Sequence, residues 1–337
     1  MDFTTDDRKL KNTNKRIKKK EPKLFLISTL LTNITNAHIG GINGLIFTSY
    51  FLFLGIAESK IAILISIVGF TQLLQIFSAV IYRNYDNRKR IIFIFRFISS
   101  STLVGAALIP KVMDESSYFY ALFGLMFIRF AATNLIGGAY IEWNDHFISE
   151  ERKGAYYSLR NVLGNALGII MGFLIGILLN WFSGSYLFYL TVFSMAMFFT
   201  DLNYLLLKNI DFPQKKKKES LKLKDELLMP LKDKEYRKFI IFSLIWIFAN
   251  NLGRPMLNVY AIKYLQYYYG LLAVLGSSAA FVKLFSGVYC GRLIDSKGSE
   301  RVVMFTGIGY GLSTLGIIFS MVGNPVIYVV CIAVSYT

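Results

Sequence analysis

The sequence predicts an all-α, polytopic membrane helical bundle, and three observations support that expectation. Of the 337 residues, 54% are hydrophobic and 16% aromatic, which is too apolar for a soluble domain of this length. The apolar residues gather into runs near 20 residues, the length an α-helix needs to cross a hydrocarbon core of about 30 Å. Between the runs, lysine and arginine crowd onto every second loop, the asymmetry that orients membrane helices. A transmembrane barrel would instead alternate in segments of about ten residues. The net charge of +16 therefore speaks of topology. No nucleic-acid partner is expected, because the basic residues lie between spans and form no continuous soluble face.

In order, the runs are 24–54, 59–82, 91–110, 117–141, 155–181, 185–207, 239–265, 271–290, 302–322 and 325–337. They predict nine complete spans and a fragment. Residues 1–23 hold nine Lys and Arg and are expected to form a basic, disordered cytoplasmic tail. The first run is too long for the apolar part of a signal peptide and is expected to stay as a span. With the tail inside, 29 of the 37 Lys and Arg fall on inside segments, three (Lys60, Lys111, Lys263) outside and five within spans. This partition predicts a multi-pass protein of the cytoplasmic membrane with a cytoplasmic N-terminus. The basic segment 208–238, with Lys215-Lys216-Lys217-Lys218, reads as a solvated, lipid-facing loop. It separates a six-helix bundle over 24–207 from an incomplete second bundle over 239–337. Cys290 and Cys331 lie in or beside apolar runs and read as packing residues, not disulfide partners.

The turn from Gly291 to Arg301 joins spans 8 and 9. Gly291 removes a side chain where the helices crowd, Asp295 can accept from the first free N–H groups of the next helix, and Gly298 permits the reversal. The spacing Gly-x-Leu-x-Asp-x-x-Gly-x-x-Arg resembles the loop motif of the major facilitator superfamily, found there between spans 2 and 3 and again between spans 8 and 9. The segment Asn84–Arg90 is similar to a degenerate copy of it. Asn84 stands where the family has aspartate, Asn87 where it has glycine and Val80 where it has the leading glycine, while Arg88 and Arg90 keep the positive charge. The halves also align at an offset near 215, which pairs Asn36 with Asn251 and Asn43 with Asn258. A four-residue shift pairs Asn84 with Asp295, Asn87 with Gly298 and Arg90 with Arg301. Such order points to duplication. Trp143-Asn144-Asp145 through Arg160-Asn161 is similar to the span 4 to span 5 segment of a group of bacterial members.

The resemblance implies two six-helix halves, the second incomplete here, and secondary active transport of a small solute by rocking around a midplane site. It also implies a coupling proton or sodium ion as partner beside the lipid bilayer, and makes the two turns gating latches. Span 10 has only 13 residues from Pro325 to Thr337, too few to cross, so the expectation is a carrier cut short. The competing reading is a non-transporting membrane sensor or an inert carrier fragment. No nucleophile–base pattern, phosphate loop or metal-ligand spacing appears, so no enzyme, cofactor or metal centre is expected.

Polar residues in mid-span are the candidates for solute contact, because a charge at the bilayer centre costs at least about 2.5–3.5 kcal/mol unless it faces protein or water. Asn33, Asn36, Gly40 and Asn43 share one face of span 1, and Asn251, Arg254 and Asn258 repeat the pattern in span 7 beside Pro255. These asparagines either line a cavity or bond helices together. Arg129 resembles the arginine of a span 4 motif of drug/proton antiporters, although Ala132 and Thr133 replace that motif's glutamine and glycine. Arg129, Arg254 and Lys283 form a set of three deep cations with no carboxylate at their depth, which suggests an anionic or carboxylate-bearing solute. Arg96, Arg160 and Asp201 lie about 6–9 Å from the inner edge and read as paired or snorkelling residues, with Glu142, Asp145 and Asp295 as partners. Proton coupling through the first half would fall to Asp201, His38 or Glu142, none of them well placed; His38 lies in mid-span 1, one residue round from the asparagine face, and reads as a packing residue.

Overall fold

The computed structural model describes residues 23–32, 44–75, 77–78, 87–148, 150–210, 232–253 and 257–278, with single positions at 212 and 281 and a few within 302–312. Every described regular element is helical, which agrees with the expected all-α class. The helices are α1 (Lys23–Thr32), α2 (Leu45–Phe53), α3 (Glu58–Gln72), α4 (Arg88–Val112), α5 (Tyr118–Asp145), α6 (Glu150–Phe182), α7 (Tyr186–Leu207), α8 (Lys234–Gly253), α9 (Leu257–Lys263) and α10 (Tyr269–Ser278). Four segments are long and apolar enough to cross a membrane: Arg88–Val112, Glu115–Asp145, Tyr156–Phe182 and Tyr186–Leu207. They are the expected spans 3 to 6. Large apolar side chains stay exposed along them, such as Leu187, Phe198 and Leu205 on α7. In water that pattern would be costly; in lipid it is the favoured surface.

Two compact units make up the chain. The first comprises Met1–Ser28, Leu54–Lys153 and Phe193–Leu257, and the second Thr29–Phe53, Gly154–Val192 and Asn258–Thr337. In the first unit, α5 packs most extensively on α4 and next on α3. Small residues let these backbones approach: a Cβ on Gly105 would meet the Leu125 methyls at 3.5 Å, and one on Gly138 would meet Ser78 Oγ at 3.3 Å. Asn134 Nδ2 donates to Thr71 Oγ1 over 3.2 Å, a polar tie between α5 and α3. One end of this unit is closed by an aromatic core of Phe25, Trp143 and Tyr204 with Ile92, Ile136 and Leu207, all buried. Phe25 meets Trp143 edge-on at 5.4 Å and Phe93 meets Tyr204 likewise at 5.3 Å, the arrangement favoured by ring quadrupoles.

In the second unit, α2 is buried over Ile46–Phe51 and packs on the start of α7 through Tyr50 and Tyr189, whose rings lie 5.0 Å apart. Tyr189 is fully buried; its hydroxyl donates to the Ser183 carbonyl at 2.8 Å and accepts from Ser49 Oγ at 2.6 Å. Gly55, at φ +68°, turns the chain out of α2 in the left-handed region where a side chain would be strained.

Candidate functional site

Asn87 precedes α4, and its side-chain oxygen accepts from the Arg90 backbone N–H at 3.1 Å, a helix N-cap. Asn87 thus caps a helix at the position where the loop motif has glycine. Arg88, Lys89 and Arg90 fill the first turn of α4, where the positive end of the helix dipole disfavours cations. Two of them find aromatic faces: Arg88 lies 5.9 Å from the Phe212 ring centre and Lys89 6.0 Å from that of Trp143. Lys89 Nζ also donates to the Lys208 carbonyl just past α7, and so serves one of the orphan carbonyls of that helix end. Replacing Asn87 by alanine should cost about 1 kcal/mol and lower the thermal unfolding midpoint in detergent, whereas Asn87→Asp should not. Asn84 and the second-half turn with Gly291, Asp295, Gly298 and Arg301 lie outside the described residues.

Arg129 sits mid-way along α5 and is only 7% exposed. Its Nη1 donates to the Ser99 carbonyl of α4 at 2.7 Å, Ser99 Oγ shares a 2.8 Å hydrogen bond with Thr133 Oγ1, and Thr133 Oγ1 donates back to the Arg129 carbonyl at 2.9 Å. The next residue, Ser100, donates to Asp201 Oδ1 of α7 at 2.7 Å. Arg96 lies 5.3 Å from the Tyr204 ring centre, close enough to attract the Asp201 carboxylate and to repel Arg129. The Nε atoms of Arg96 and Arg129 are buried without a hydrogen-bond partner. Two guanidiniums and one carboxylate therefore share a partly buried polar patch where α4, α5 and α7 meet, with Arg129 buried and Arg96 and Asp201 half-buried. The register of α7 against α4 brings Asp201 onto Ser100, next in sequence to the residue whose carbonyl holds Arg129. Sequence reasoning did not single out Ser99-Ser100-Ser101-Thr102, yet four hydroxyls in succession inside an apolar span are a visible signal.

In the second unit, α6 meets α10 at close range. A Cβ on Gly176 would fall 2.1 Å from Ala273 Cβ and 3.1 Å from the Tyr269 carbonyl oxygen. Asn180 Oδ1 accepts from the Gly270 N–H at 3.0 Å at the start of α10, and Ser277 Oγ donates to the Ile169 carbonyl at 3.3 Å. The seam thus uses small residues for approach and polar bonds at both ends. It too went unread in the sequence, although Gly164, Gly168, Gly172, Gly176 and Asn180 recur every four residues along one face of α6.

Among the other candidates, Asn258 lies half-buried on α9. Asn251 belongs to α8, its side chain outside the description. Asn36, Asn43, Arg254, Pro255 and Lys283 lie outside the described residues. Arg160 rests 5.7 Å from the Tyr157 ring centre, and Lys153 Nζ lies 3.9 Å from Asp145 Oδ2. Among the described residues no His, Cys, Asp and Glu cluster fit to hold a metal is present.

The sequence matches the Major Facilitator Superfamily over residues 24–336. The chain belongs to that superfamily. No curated protein matches it in sequence, but solved structures share its fold. A mutant of the nucleoside transporter NupG superimposes with TM-score 0.68 at 14% identity, covering 93% of this chain and 78% of that one. A D-xylose-proton symporter gives 0.66 at 13%, covering 94% and 79%. A bacterial homologue of the iron transporter ferroportin gives 0.59 at 15%, covering 94% and 80%. This major facilitator protein is thus a multi-pass membrane transporter and not an enzyme.

Proposed function

We propose that this major facilitator protein is a secondary active transporter that moves a small solute across the cytoplasmic membrane by alternating access, with its N-terminus in the cytoplasm. The α6–α10 seam is the observation behind this reading. It joins a helix of the proposed first half (24–207) to one of the proposed second half (239–337) by small residues and few polar bonds. A joint of that kind can part at one end without unpacking either half, which is what rocking requires. With the basic tail inside, Asn180 and Gly270 fall at the outer face, and the seam is closed there.

The solute site, on this reading, lies at the midplane with Asn36, Asn43, Asn251, Arg254, Asn258 and Lys283 around it. Arg129 is already engaged by the Ser99 carbonyl, so a preference for anionic or carboxylate-bearing solutes rests on Arg254 and Lys283. The turns around Asn84–Arg90 and Gly291–Arg301 act as latches, and a proton or sodium gradient drives accumulation. The test is uptake of a labelled panel of organic anions, nucleosides and pentoses into vesicles containing the purified chain, under an imposed proton or sodium gradient. Accumulation of at least one solute, abolished when the gradient is collapsed, is expected. A folded, inserted chain that neither moves nor binds any solute would point to the sensor reading.

A further inference from the structure

Asp201 is the one acidic residue within the ten apolar runs of the sequence. All other carboxylates lie in the tail, the loops or the span ends. It stands on α7, where Ser100 of α4 donates to its Oδ1 at 2.7 Å, and the same hydroxyl also reaches the Phe97 carbonyl at 3.0 Å. A serine hydroxyl has a single proton and two lone pairs, so it gives a full-strength bond to one acceptor at a time and only a shared, weaker one to both. The two acceptors within reach allow two arrangements of that proton. With Asp201 ionised, the Ser100 proton points to Oδ1. With Asp201 protonated, its own O–H donates to Ser100 Oγ, and the serine proton turns to the Phe97 carbonyl. In either state Ser100 Oγ and Asp201 Oδ1 keep their mutual hydrogen bond, so the carboxyl can gain and lose a proton without orphaning the serine.

Charges on the packed elements make the change consequential. Arg96 on α4 attracts the ionised carboxylate, Tyr204 stands one turn away on α7 beneath the Arg96 guanidinium, and Arg129 and Tyr140 face the patch from α5. Ser100 adjoins Ser99, whose carbonyl holds Arg129. Protonation removes a negative charge that faces Arg96 and so alters what holds α4, α5 and α7 together.

We propose that Asp201 is the proton-binding site of this transporter, taking a proton from one aqueous face and releasing it to the other, with Ser100 as the hydroxyl that accommodates both states. The inference rests on the transporter reading and selects the proton over sodium as the coupling ion. Two readouts test it on the full chain in lipid vesicles. In infrared difference spectra during acid titration, wild type should show a carboxylic acid C=O band that Asp201→Asn lacks and Asp201→Glu restores at a shifted position. Ser100→Ala should move the midpoint of that band, and Ser100→Thr should return it. In transport, Asp201→Asn should keep solute exchange but lose accumulation driven by a proton gradient. Identical titration spectra for wild type and Asp201→Asn overturn the proposal, as does undiminished proton-driven accumulation in the variant or accumulation in wild type driven by sodium alone. Should wild type move no solute, the transporter reading fails, and the infrared band alone decides whether Asp201 takes up a proton.

Discussion

Gly176→Ala is expected to force α6 and α10 apart and to stop transport. The added methyl would lie 2.1 Å from Ala273 Cβ and 3.1 Å from the Tyr269 carbonyl oxygen. Both neighbours are fixed by backbone, so no rotamer change relieves the collision and the helices themselves must move. Overpacking of this kind costs about 1–3 kcal/mol, and here it falls on the joint between the proposed halves. Removing the opposing methyl tests the mechanism: Ala273→Gly in the same chain should restore both thermal stability and solute exchange. The two substitutions should therefore show strong coupling in a double-mutant cycle. Gly176→Ala with unchanged exchange and stability would mean that the crossing is looser than its geometry indicates.

Trp143→Ala is expected to be the most destabilising truncation in the first unit. Trp143 is fully buried and packs against Phe25, Phe93 and Phe212, while Lys89 approaches its ring. In lipid the transfer term that accompanies burial from water is weakened, since the alternative environment is also apolar. The cavity left by the indole remains, and it loosens the ends of α1, α4, α5 and α7 together. The loss should be about 3 kcal/mol, with a further fraction from the Lys89 contact. Thermal unfolding in detergent would register it, and Trp143→Phe should recover most of the loss. An unfolding midpoint equal to wild type would show that this aromatic core does not hold the unit together.

The spans were legible because lipid imposes a length and a composition that few residues can disguise. The runs 91–110, 117–141, 155–181 and 185–207 became helices Arg88–Val112, Tyr118–Asp145, Glu150–Phe182 and Tyr186–Leu207. Helices α4, α5 and α6 extend beyond their runs at the polar end, through Arg88-Lys89-Arg90, Glu142–Asp145 and Glu150–Gly154. The backbone must stay hydrogen-bonded through the interface, where long polar side chains can reach water. Hydropathy marks the hydrocarbon part of a helix and not its full length. What stayed hidden is pairwise. Asp201 and Ser100 are 101 residues apart, and no periodicity announces that they face each other. Gly176 and Ala273 likewise meet only because α6 and α10 cross at that point. A four-residue glycine spacing indicates that a helix has a close neighbour, but not which one. Arg129 shows the same limit from the other side: its depth was readable, and its partner on Ser99 was not.

The most direct test of rocking about the α6–α10 seam is a distance measured across its end. Trp181 and Tyr268 are 79% and 63% exposed, so cysteines there would take spin labels without disturbing the packing, in a background where Cys290 and Cys331 are replaced by serine. Pulsed electron resonance on the labelled chain in lipid should give two distance populations whose ratio changes between acid and alkaline conditions, and should shift further when a transported solute is added. A single distance, the same at every pH and with every solute of the panel, would contradict alternating access at this seam.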